Sequence, residues 1–147
     1  MVTVVIRAHV RLGSERRGWT QEEVDGRAVL VSEDRGPAAA GVLRPWIVLP
    51  RWILDLPDAQ RALVVLHEDE HVRGGDTLLL PLGLAFVCAT PWNPIAWWQL
   101  GRMRAAMEVD CDRRVLRRRP EPGIYGDSLL VVAARATGTG LALAAFS

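Results

Sequence analysis

The N-terminal third alternates apolar and polar positions in short runs, which is the pattern of half-buried β-strands. Strands are predicted at residues 2–12 and 29–32, and polar turns follow them at residues 13–18 and 33–36. The segment 41–50 also favours an extended conformation, although it contains Pro45 and ends at Pro50. Because proline lacks the backbone N–H that a sheet ladder needs, this segment is expected at a sheet edge. Residues 1–50 are therefore predicted to form a small, mostly antiparallel sheet.

Beyond this sheet, the apolar positions recur with the 3.6-residue period of amphipathic helices. The predicted helices cover about residues 57–73, 77–89, 95–118 and 125–136. Gly74-Gly75 is expected to end the first helix, and Asp76 to cap the second with its side chain. The fold class expected is α+β, with the sheet in about residues 1–50 and a helical half in about residues 57–137. The whole chain, residues 1–147, is expected to be one domain.

Composition narrows the class of protein. Half of the 147 residues are apolar, 24% are charged and the formal net charge is only +1, which is ordinary for a globular domain. No bulk electrostatic attraction to nucleic acid or to an anionic membrane is therefore expected. The two cysteines, Cys88 and Cys111, do not have the spacing of a disulfide framework or a four-thiolate zinc site. No signal peptide is recognised, which favours a reducing, cytoplasmic setting.

Neither of the two most apolar stretches is predicted to cross a membrane. Residues 77–92 are fewer than the about 20 that a spanning helix needs, and they include two prolines. Residues 128–147 are interrupted by Arg135 and by a Gly-Thr-Gly sequence. Either stretch is still able to pack against a membrane or against helices outside this chain.

The chemistry is concentrated in an H-E-x-x-H sequence, from His67 to His71, inside the first predicted helix. Helical residues four apart lie on the same face with Cβ atoms about 5–6 Å apart, so both imidazoles can reach one zinc ion. Glu68 is then placed to act as general base toward a zinc-bound water. Two of the chain's three histidines lie in this motif. The leading hypothesis is a zinc-dependent peptidase.

A catalytic zinc site needs a third protein ligand and one open position. With no further histidine nearby, a carboxylate from a later helix is expected, and Glu108 is the best candidate. Asp112 follows four residues later on the same face, where it can accept a hydrogen bond from a ring nitrogen that does not bind the metal. The weaker rivals, each directed away from the expected metal position or explained by helix capping, are Asp69, Glu70, Asp76 and Asp110.

Several segments together resemble the BlaR/MecR-type membrane metallopeptidases, over about residues 28–135. These segments are GVLRPWIVLP at 41–50, the H-E-x-x-H sequence with Val72, Arg73 and Asp76, the Pro91-Trp92-Asn93-Pro94 turn, and E-x-x-C-D-x-x-V-L from Glu108 to Leu116. The resemblance implies a zincin-like fold with an edge strand over the active site. It also implies a gluzincin-like site, in which His67, His71 and Glu108 bind Zn²⁺ and Glu68 is the base.

The same resemblance implies where a substrate binds and where such a protein works. Gly41, Val42 and Leu43 are implied to lie on the edge strand that holds the backbone of a peptide substrate. Family members act at the cytoplasmic side of a membrane and signal by cleaving themselves or a partner such as a transcriptional repressor. This chain is expected to be a catalytic core, with membrane association through segments absent from it. Asp69 and Glu70 depart from the small or apolar residues usual at these positions of the motif.

Three functions are weighed. The first is a zinc endopeptidase that hydrolyses peptide bonds with a metal-activated water. The second is a non-catalytic regulatory module, zinc-stabilised or metal-free, that captures a partner peptide. The third is an arginine-rich module that binds nucleic acid or lipid through residues 113–119, although arginine at a helix C-terminus is already favoured by the helix dipole. The donor that stabilises the oxyanion is left open between Tyr125 and His9.

Overall fold

The computed structural model describes residues 18–144, and their side chains as far as residue 135. Four strands form one mixed sheet in the order β1-β2-β4-β3. The strands are β1 Thr20–Val24, β2 Arg27–Ser32, β3 Ala38–Ala40 and β4 Trp46–Pro50. The β1–β2 and β3–β4 pairs are antiparallel and the β2–β4 pair is parallel. The α+β class is as predicted, while the strand predicted at 2–12 lies outside the described residues.

A tight hairpin joins β1 to β2. Val24 pairs with Arg27, so only Asp25 and Gly26 form the loop. Both loop residues have positive φ, 51° and 77°, as a type I′ turn requires. An Asp-Gly pair between two runs is a strong hairpin signal. The sequence analysis missed β1 because its TQEEV sequence is polar and mostly exposed.

Four helices follow the sheet, after a short 3₁₀ turn at Arg51–Ile53. They are α1 Asp58–Gly74, α2 Asp76–Ala89, α3 Pro94–Arg118 and α4 Pro122–Ala144. The first three agree with the predicted helices to within a residue or two, because proline and glycine mark their ends. The last helix is longer than predicted at both ends.

The segment predicted as the edge strand has a different place in the sheet. Trp46–Pro50 forms the inner strand β4, with β2 on one side and β3 on the other. Gly41, Val42 and Leu43 lie in the loop before it. Gly41 has φ 96°, and an added Cβ there would lie 2.6 Å from a backbone carbonyl oxygen, so the chain turns here and leaves the sheet. Within the described sheet, the edge next to β4 is formed instead by β3, Ala38–Ala40. The prediction that residues 41–43 form it is wrong.

Helix α1 lies at the centre of the fold, between the sheet and the other helices. Its sheet side joins a core made of Val24, Val29, Val31, Ile47, Leu49, Ile53, Val64 and Val65. Its other side joins a second core made of Leu63, Cys111, Val115 and Tyr125. Because α1 is covered on two sides rather than along one apolar stripe, the polar residues of its C-terminal half are carried into the interior as well.

Two buried acids on α1 form ion pairs with arginines. Asp69 forms ion pairs with Arg27 of β2 and with Arg73 one turn along α1. Glu70, only 2% exposed, faces α3, where Nε of Arg118 lies 2.9 Å from its Oε1 and Nε of Arg114 lies 3.8 Å from its Oε2. The Arg118 contact is close enough for ion pairing but is not aligned as a hydrogen bond.

These pairs account for two features of the sequence. The acids between the motif's glutamate and second histidine hold α1 against the sheet and against α3, so they need not add net charge to the site. The arginine-rich end of α3 is partly consumed in the same contacts. This use of arginine weakens the interpretation of residues 113–119 as a nucleic-acid or lipid site.

Within residues 18–144, no single helix is both long and apolar enough to cross a membrane. Helices α1 and α2 meet the length and composition criteria only when taken together, and they are bent by 59° at their junction.

The Glu70–Arg118 pair predicts a measurable loss of stability. Removing one member of a buried ion pair leaves the other charge uncompensated, so Arg118→Ala should lower the free energy of unfolding by about 2 kcal/mol. Adding Glu70→Gln to that variant should restore part of the loss, because it removes the uncompensated charge. Urea denaturation of the single and double variants measures both effects.

The matched control is Arg117→Ala, at an exposed neighbouring position. It should change stability by less than about 0.5 kcal/mol. Equal effects of Arg117→Ala and Arg118→Ala would contradict the assigned ion pair.

Candidate metal centre

Helix α1 places the two motif histidines on one face, as their four-residue spacing predicts. The Nε2 atoms of His67 and His71 lie 3.1 Å apart, and the two rings meet edge to face. Two atoms that bind one zinc ion tetrahedrally at about 2.0–2.1 Å lie about 3.3 Å from each other. The histidine pair therefore has the separation of two ligands of a single ion.

Glu108 on α3 brings a carboxylate to the same point. Its Oε2 atom lies 3.8 Å from Nε2 of His67 and 3.6 Å from Nε2 of His71. The triangle is slightly wider than zinc ligands require, but the Glu108 side chain is 62% exposed and has room to move closer. Asp110, its rival on α3, is exposed and pairs with Arg114. The fold thus brings together the three residues that the sequence singled out as ligands.

Asp76, at the start of α2, holds the His71 ring. Its Oδ2 atom lies 2.7 Å from Nδ1 of His71. The N-cap of α2 is Gly75, at φ 76°, and no side chain caps this helix, so the prediction that Asp76 is the cap is wrong. The left-handed Gly75 turns the chain sharply enough to return Asp76 to the histidine five residues earlier. The five-residue spacing of His71 and Asp76 across Gly74-Gly75 is the feature of the sequence that could have predicted this contact.

Tyr125 on α4 holds the His67 ring. Its hydroxyl oxygen lies 2.6 Å from Nδ1 of His67, and the hydroxyl donates to Oδ1 of Asp112 at 2.6 Å. Asp112 itself is 3.6 Å from Nδ1, too far for a hydrogen bond. The predicted direct contact between Asp112 and a histidine is therefore replaced by a contact through Tyr125. Burial and the bond to Asp112 raise the pKa of the Tyr125 hydroxyl, which keeps it protonated.

The position of the Tyr125 hydroxyl also decides whether it can act as the oxyanion donor. The hydroxyl of Tyr125 is engaged at Nδ1 of His67, on the opposite side of the ring from the Nε2 pair. Tyr125 is therefore not placed to reach an oxyanion there. His9, the other candidate, lies outside the described residues.

The two outer contacts determine the tautomers of both rings. A neutral imidazole has a single N–H, and each ring uses it at Nδ1. His71 donates to Asp76, and His67 donates to the Tyr125 oxygen, whose own hydrogen goes to Asp112. Two Nε2 lone pairs then face each other across 3.1 Å, an arrangement that calls for a cation between them. A divalent metal ion fits this donor set.

Without a metal, a proton takes the place of the cation. Burial opposes a charge on His71, but hydrogen bonds with Cys111, Glu108 and Asp76 outweigh burial and raise its pKa to about 11. Burial lowers the pKa of His67, and the charge on His71 lowers it further. The hydrogen bond from His71 in turn lowers the pKa of Glu108. His71 is thus the histidine that carries the added proton, and the Glu108 carboxylate lies beside it.

Cys111 offers a second possible donor set. Its Sγ lies 3.3 Å from the carbonyl oxygen of His67 and 3.6 Å from Nδ1 of that ring, and it clusters with both histidines. Burial raises the pKa of the Cys111 thiol, so the thiolate that binds metals is disfavoured. Its contact with the His67 ring is with Nδ1, the nitrogen that is not part of the Nε2 pair. The set with Glu108 therefore fits a metal better.

Glu68 is buried beside the edge strand, with only 6% of its surface exposed. Burial raises the pKa of its carboxyl to about 7, although the charge on His71 and a hydrogen bond from the backbone N–H of Ala39 oppose the shift. Within residues 18–135, no arginine forms an ion pair with Glu68, in contrast to Asp69 and Glu70. A carboxyl group that titrates near neutral pH suits general-base chemistry.

A cavity of about 140 Å³ opens beside the triangle of His67, His71 and Glu108, between β3 and α2. It is lined by Ala39, His71, Asp76, Thr77, Leu80, Pro81 and Glu108. Gly41, Val42 and Leu43 contribute nothing to it, and Leu43 is 91% exposed. The strand that borders the site is therefore β3, which the sequence analysis did not recognise.

Arg114 connects the buried acids of α1 to the site. Its guanidinium lies 3.8 Å from Glu70 and 3.8 Å from Asp76. It occupies the space beside Gly74, where an added Cβ would come within 2.3 Å of its Nη1. Glycine at this helix end therefore makes room for the arginine that neutralises Asp76.

The raised pKa of Glu68 predicts that Glu68→Gln stabilises the metal-free protein. The carboxyl titrates near 4.5 when unfolded and near 7 when folded, so between these values the folded state holds more protons. Stability therefore falls as pH rises through this window, and the loss is complete above pH 7. Glutamine removes it, so the gain should be small at pH 5 and reach about 2–3 kcal/mol at pH 8.

Chemical denaturation in the presence of a chelator, from pH 5 to pH 8, measures this gain. Glu23→Gln on the exposed β1 strand is the control and should change stability by less than about 0.5 kcal/mol at every pH. A gain from Glu68→Gln that does not vary with pH would exclude ionisation as its cause.

Comparison with known proteins points to one family. The model of the family described as BlaR1 peptidase M56 matches residues 20–146. The chain is 32% identical over 84 residues to the regulatory protein BlaR1 of Bacillus licheniformis, a match that covers 56% of this chain and 14% of that protein. It is 31% identical over 97 residues to the methicillin resistance mecR1 protein of Staphylococcus aureus (strain Mu50), covering 64% and 17% respectively.

No solved structure matches the chain. The matches cover only a minor part of the curated relatives' length, but the family model covers most of this chain. The resemblance expected from the histidine motif and its neighbouring segments is therefore confirmed. The chain belongs to the BlaR1 peptidase M56 family.

Proposed function

We propose that this chain is the catalytic core of a zinc-dependent endopeptidase. One observation carries the proposal: two Nε2 atoms face each other at 3.1 Å while both Nδ1 hydrogens are bonded elsewhere. His67, His71 and Glu108 are the proposed ligands, a set that leaves one position open for water. Asp76 and Tyr125 orient the two rings. Membership in a peptidase family supports the class of reaction.

A zinc ion bound there would supply a Lewis acid and would lower the pKa of a bound water toward neutrality. Glu68 is proposed to take a proton from the attacking water and pass it to the leaving amine. A carboxyl with a pKa of about 7 can both accept and release a proton at neutral pH. Its burial keeps the proton from bulk water between these two transfers.

The substrate is proposed to bind as an extended chain along β3. This strand is at the edge of the described sheet, so the outer backbone groups that Glu68 does not engage can pair with a peptide. Its central residue, Ala39, also donates to Glu68 and lines the neighbouring cavity. The cavity is small and is bordered by Leu80 and Pro81, which favours a small apolar side chain next to the scissile bond.

The biological role is proposed from the relatives. They are named as a regulatory protein and a methicillin resistance protein. We infer regulatory proteolysis at the cytoplasmic side of a membrane, with the protein itself or a partner such as a transcriptional repressor as substrate. Because the matches cover 14% and 17% of those proteins, this role is proposed for a larger assembly that contains the core.

The ligand set predicts the zinc content of purified variants. Wild type should contain about one zinc ion per chain, and Glu108→Ala and His71→Ala should lose it. Asp76→Asn should retain the site but bind zinc about 10- to 100-fold more weakly, because the ring loses its anionic hydrogen-bond acceptor. Elemental mass spectrometry and competition with a chromogenic chelator measure both quantities.

Two neighbours of Glu108 on α3 serve as controls. Asp110→Ala tests the rival carboxylate, and Cys111→Ser tests the rival donor set. Both variants should keep their zinc. Loss of zinc in Cys111→Ser, with zinc retained in Glu108→Ala, would replace the carboxylate by the thiolate in the proposed site.

Glu68→Gln separates catalysis from simple peptide capture. It should keep the metal and the fold but lower the rate of peptide hydrolysis by about 10²–10⁴-fold, the contribution of general acid–base catalysis. Turnover of a quenched peptide library measures the rate, and peptide binding is measured on the same variant. A zinc-loaded wild type that binds peptide but shows no turnover would favour the non-catalytic regulatory module.

A further inference from the structure

The α2–α3 hairpin exposes an unusually apolar surface. The sequence has no Asp, Glu, Lys or Arg from residue 77 to residue 101, where both helices and their connecting turn are found. The large apolar side chains exposed along this stretch are Leu78, Leu79, Leu82, Phe86, Trp92, Ile95 and Trp98. Trp92, at the tip of the hairpin, is 78% exposed. A soluble surface rarely carries so large an apolar patch without a binding partner.

The exposed positions form a broad surface on the hairpin instead of one narrow stripe. On α2 they occupy about half of the helix circumference, at residues 78, 79, 82, 85, 86, 88 and 89. They continue through the turn and onto the start of α3. So broad an apolar surface, continued around the tip of the hairpin, suits immersion in an apolar medium.

Several polar groups at the tip are bonded within the hairpin itself, although the two N–H groups of Trp92 are not among them. The Thr90 hydroxyl donates to the carbonyl of Phe86, and the Trp97 indole N–H donates to the carbonyl of Pro91. The side-chain oxygen of Asn93 accepts from two backbone N–H groups at the start of α3. Water would satisfy these groups without such bonds, but hydrocarbon offers them no partner.

Several backbone N–H groups in the turn are also bonded within the hairpin or are absent because the residue is proline. The N–H groups of Thr90 and Asn93 are bonded to carbonyls within the hairpin. Pro91 and Pro94, the two other residues that flank the tip, have no N–H to satisfy. Between the helices lies a cavity of about 470 Å³ that no charged side chain lines. A hydrocarbon chain is the kind of group that this cavity suits.

The apolar surface has a defined boundary. Along α3 the exposed face changes from Trp98 to Gln99 and then to Arg102, whose guanidinium stacks 5.0 Å from the Trp98 ring. Tryptophan and arginine at one level are typical of the boundary between hydrocarbon and lipid headgroups. The part of α2 beyond Thr77 is about 18 Å long, close to one leaflet of a hydrocarbon core of about 30 Å.

We propose that the α2–α3 hairpin inserts its tip into one leaflet of a lipid bilayer. Arg102 and Trp98 then lie at the headgroup level, and Trp92 and Phe86 lie within the hydrocarbon. Because α2 begins at Asp76, beside the metal centre, insertion holds that centre at the membrane surface. The hairpin thus gives the described chain its own membrane contact, in addition to any made by segments outside it. This inference does not depend on the metal or on catalysis.

Flotation of the purified full chain with vesicles of neutral phosphatidylcholine tests the proposal. Wild type should float with the vesicles. Trp92→Glu and Phe86→Glu, made separately, should each lower the partition coefficient at least about tenfold, since a charge is costly in hydrocarbon. Both residues are exposed, so the fold should be unchanged in far-ultraviolet circular dichroism and thermal unfolding. Glu108→Ala should float like wild type, which separates this test from that of the metal site.

Leu130→Glu is the matched control, because Leu130 is 69% exposed on α4, outside the hairpin. It should float like wild type. Flotation that Trp92→Glu and Phe86→Glu leave unchanged would overturn the proposal. Binding only to vesicles that contain phosphatidylglycerol, abolished by 0.5 M salt, would replace insertion by adsorption through arginines. Self-association without flotation, lost in Trp92→Glu, would identify a second copy of the chain as the true partner.

Discussion

Five consecutive polar side chains at the centre of the molecule, from His67 to His71, impose the constraint on which the rest of the structure depends. A buried polar group is stable only if another group satisfies it. Each of the five finds its partner on a different part of the fold. The sheet supplies Arg27 to Asp69 and the backbone of Ala39 to Glu68. The elements packed around α1 therefore supply the partners that these buried polar residues require.

The remaining partners come from the three helices that surround α1. Helix α2 supplies Asp76 to His71, α3 supplies Arg118 to Glu70, and α4 supplies Tyr125 to His67. The acids at 69 and 70 each form ion pairs with arginines. Among the described side chains no arginine pairs with Glu68, which receives a backbone N–H, and the pKa of its carboxyl is raised to about 7. The three neighbouring acids of α1 therefore differ in whether they face an arginine.

Helix α2 links this centre to the far end of the hairpin. Its first residue orients a histidine, its first turns border the cavity beside the edge strand, and its last turns carry the exposed apolar surface. Because α2 is continuous from Asp76 to Ala89, contact at the tip would set the height of the proposed metal centre above the membrane. Substrate capture on β3 would then take place at that surface. The proposed peptidase activity and the proposed membrane contact do not depend on each other, and α2 takes part in both.

Local chemistry explains what the sequence alone determined. Four-residue spacing in a helix dictates that His67 and His71 share a face, proline and glycine mark helix ends, and a charge-free run marks α2 and the start of α3. The choice of Glu108 also followed from spacing and from the need for a third ligand. By contrast, the edge strand, the roles of Asp76 and Tyr125 and the neutralisation of Glu70 were decided only by tertiary structure. Each of these features depends on contacts made through a turn or between separate elements. The periodicity of the local sequence does not predict such contacts. Pro45 and Pro50 indicated an edge strand, but Pro45 precedes β4 and Pro50 is its last residue, so the strand could still pair on both of its sides.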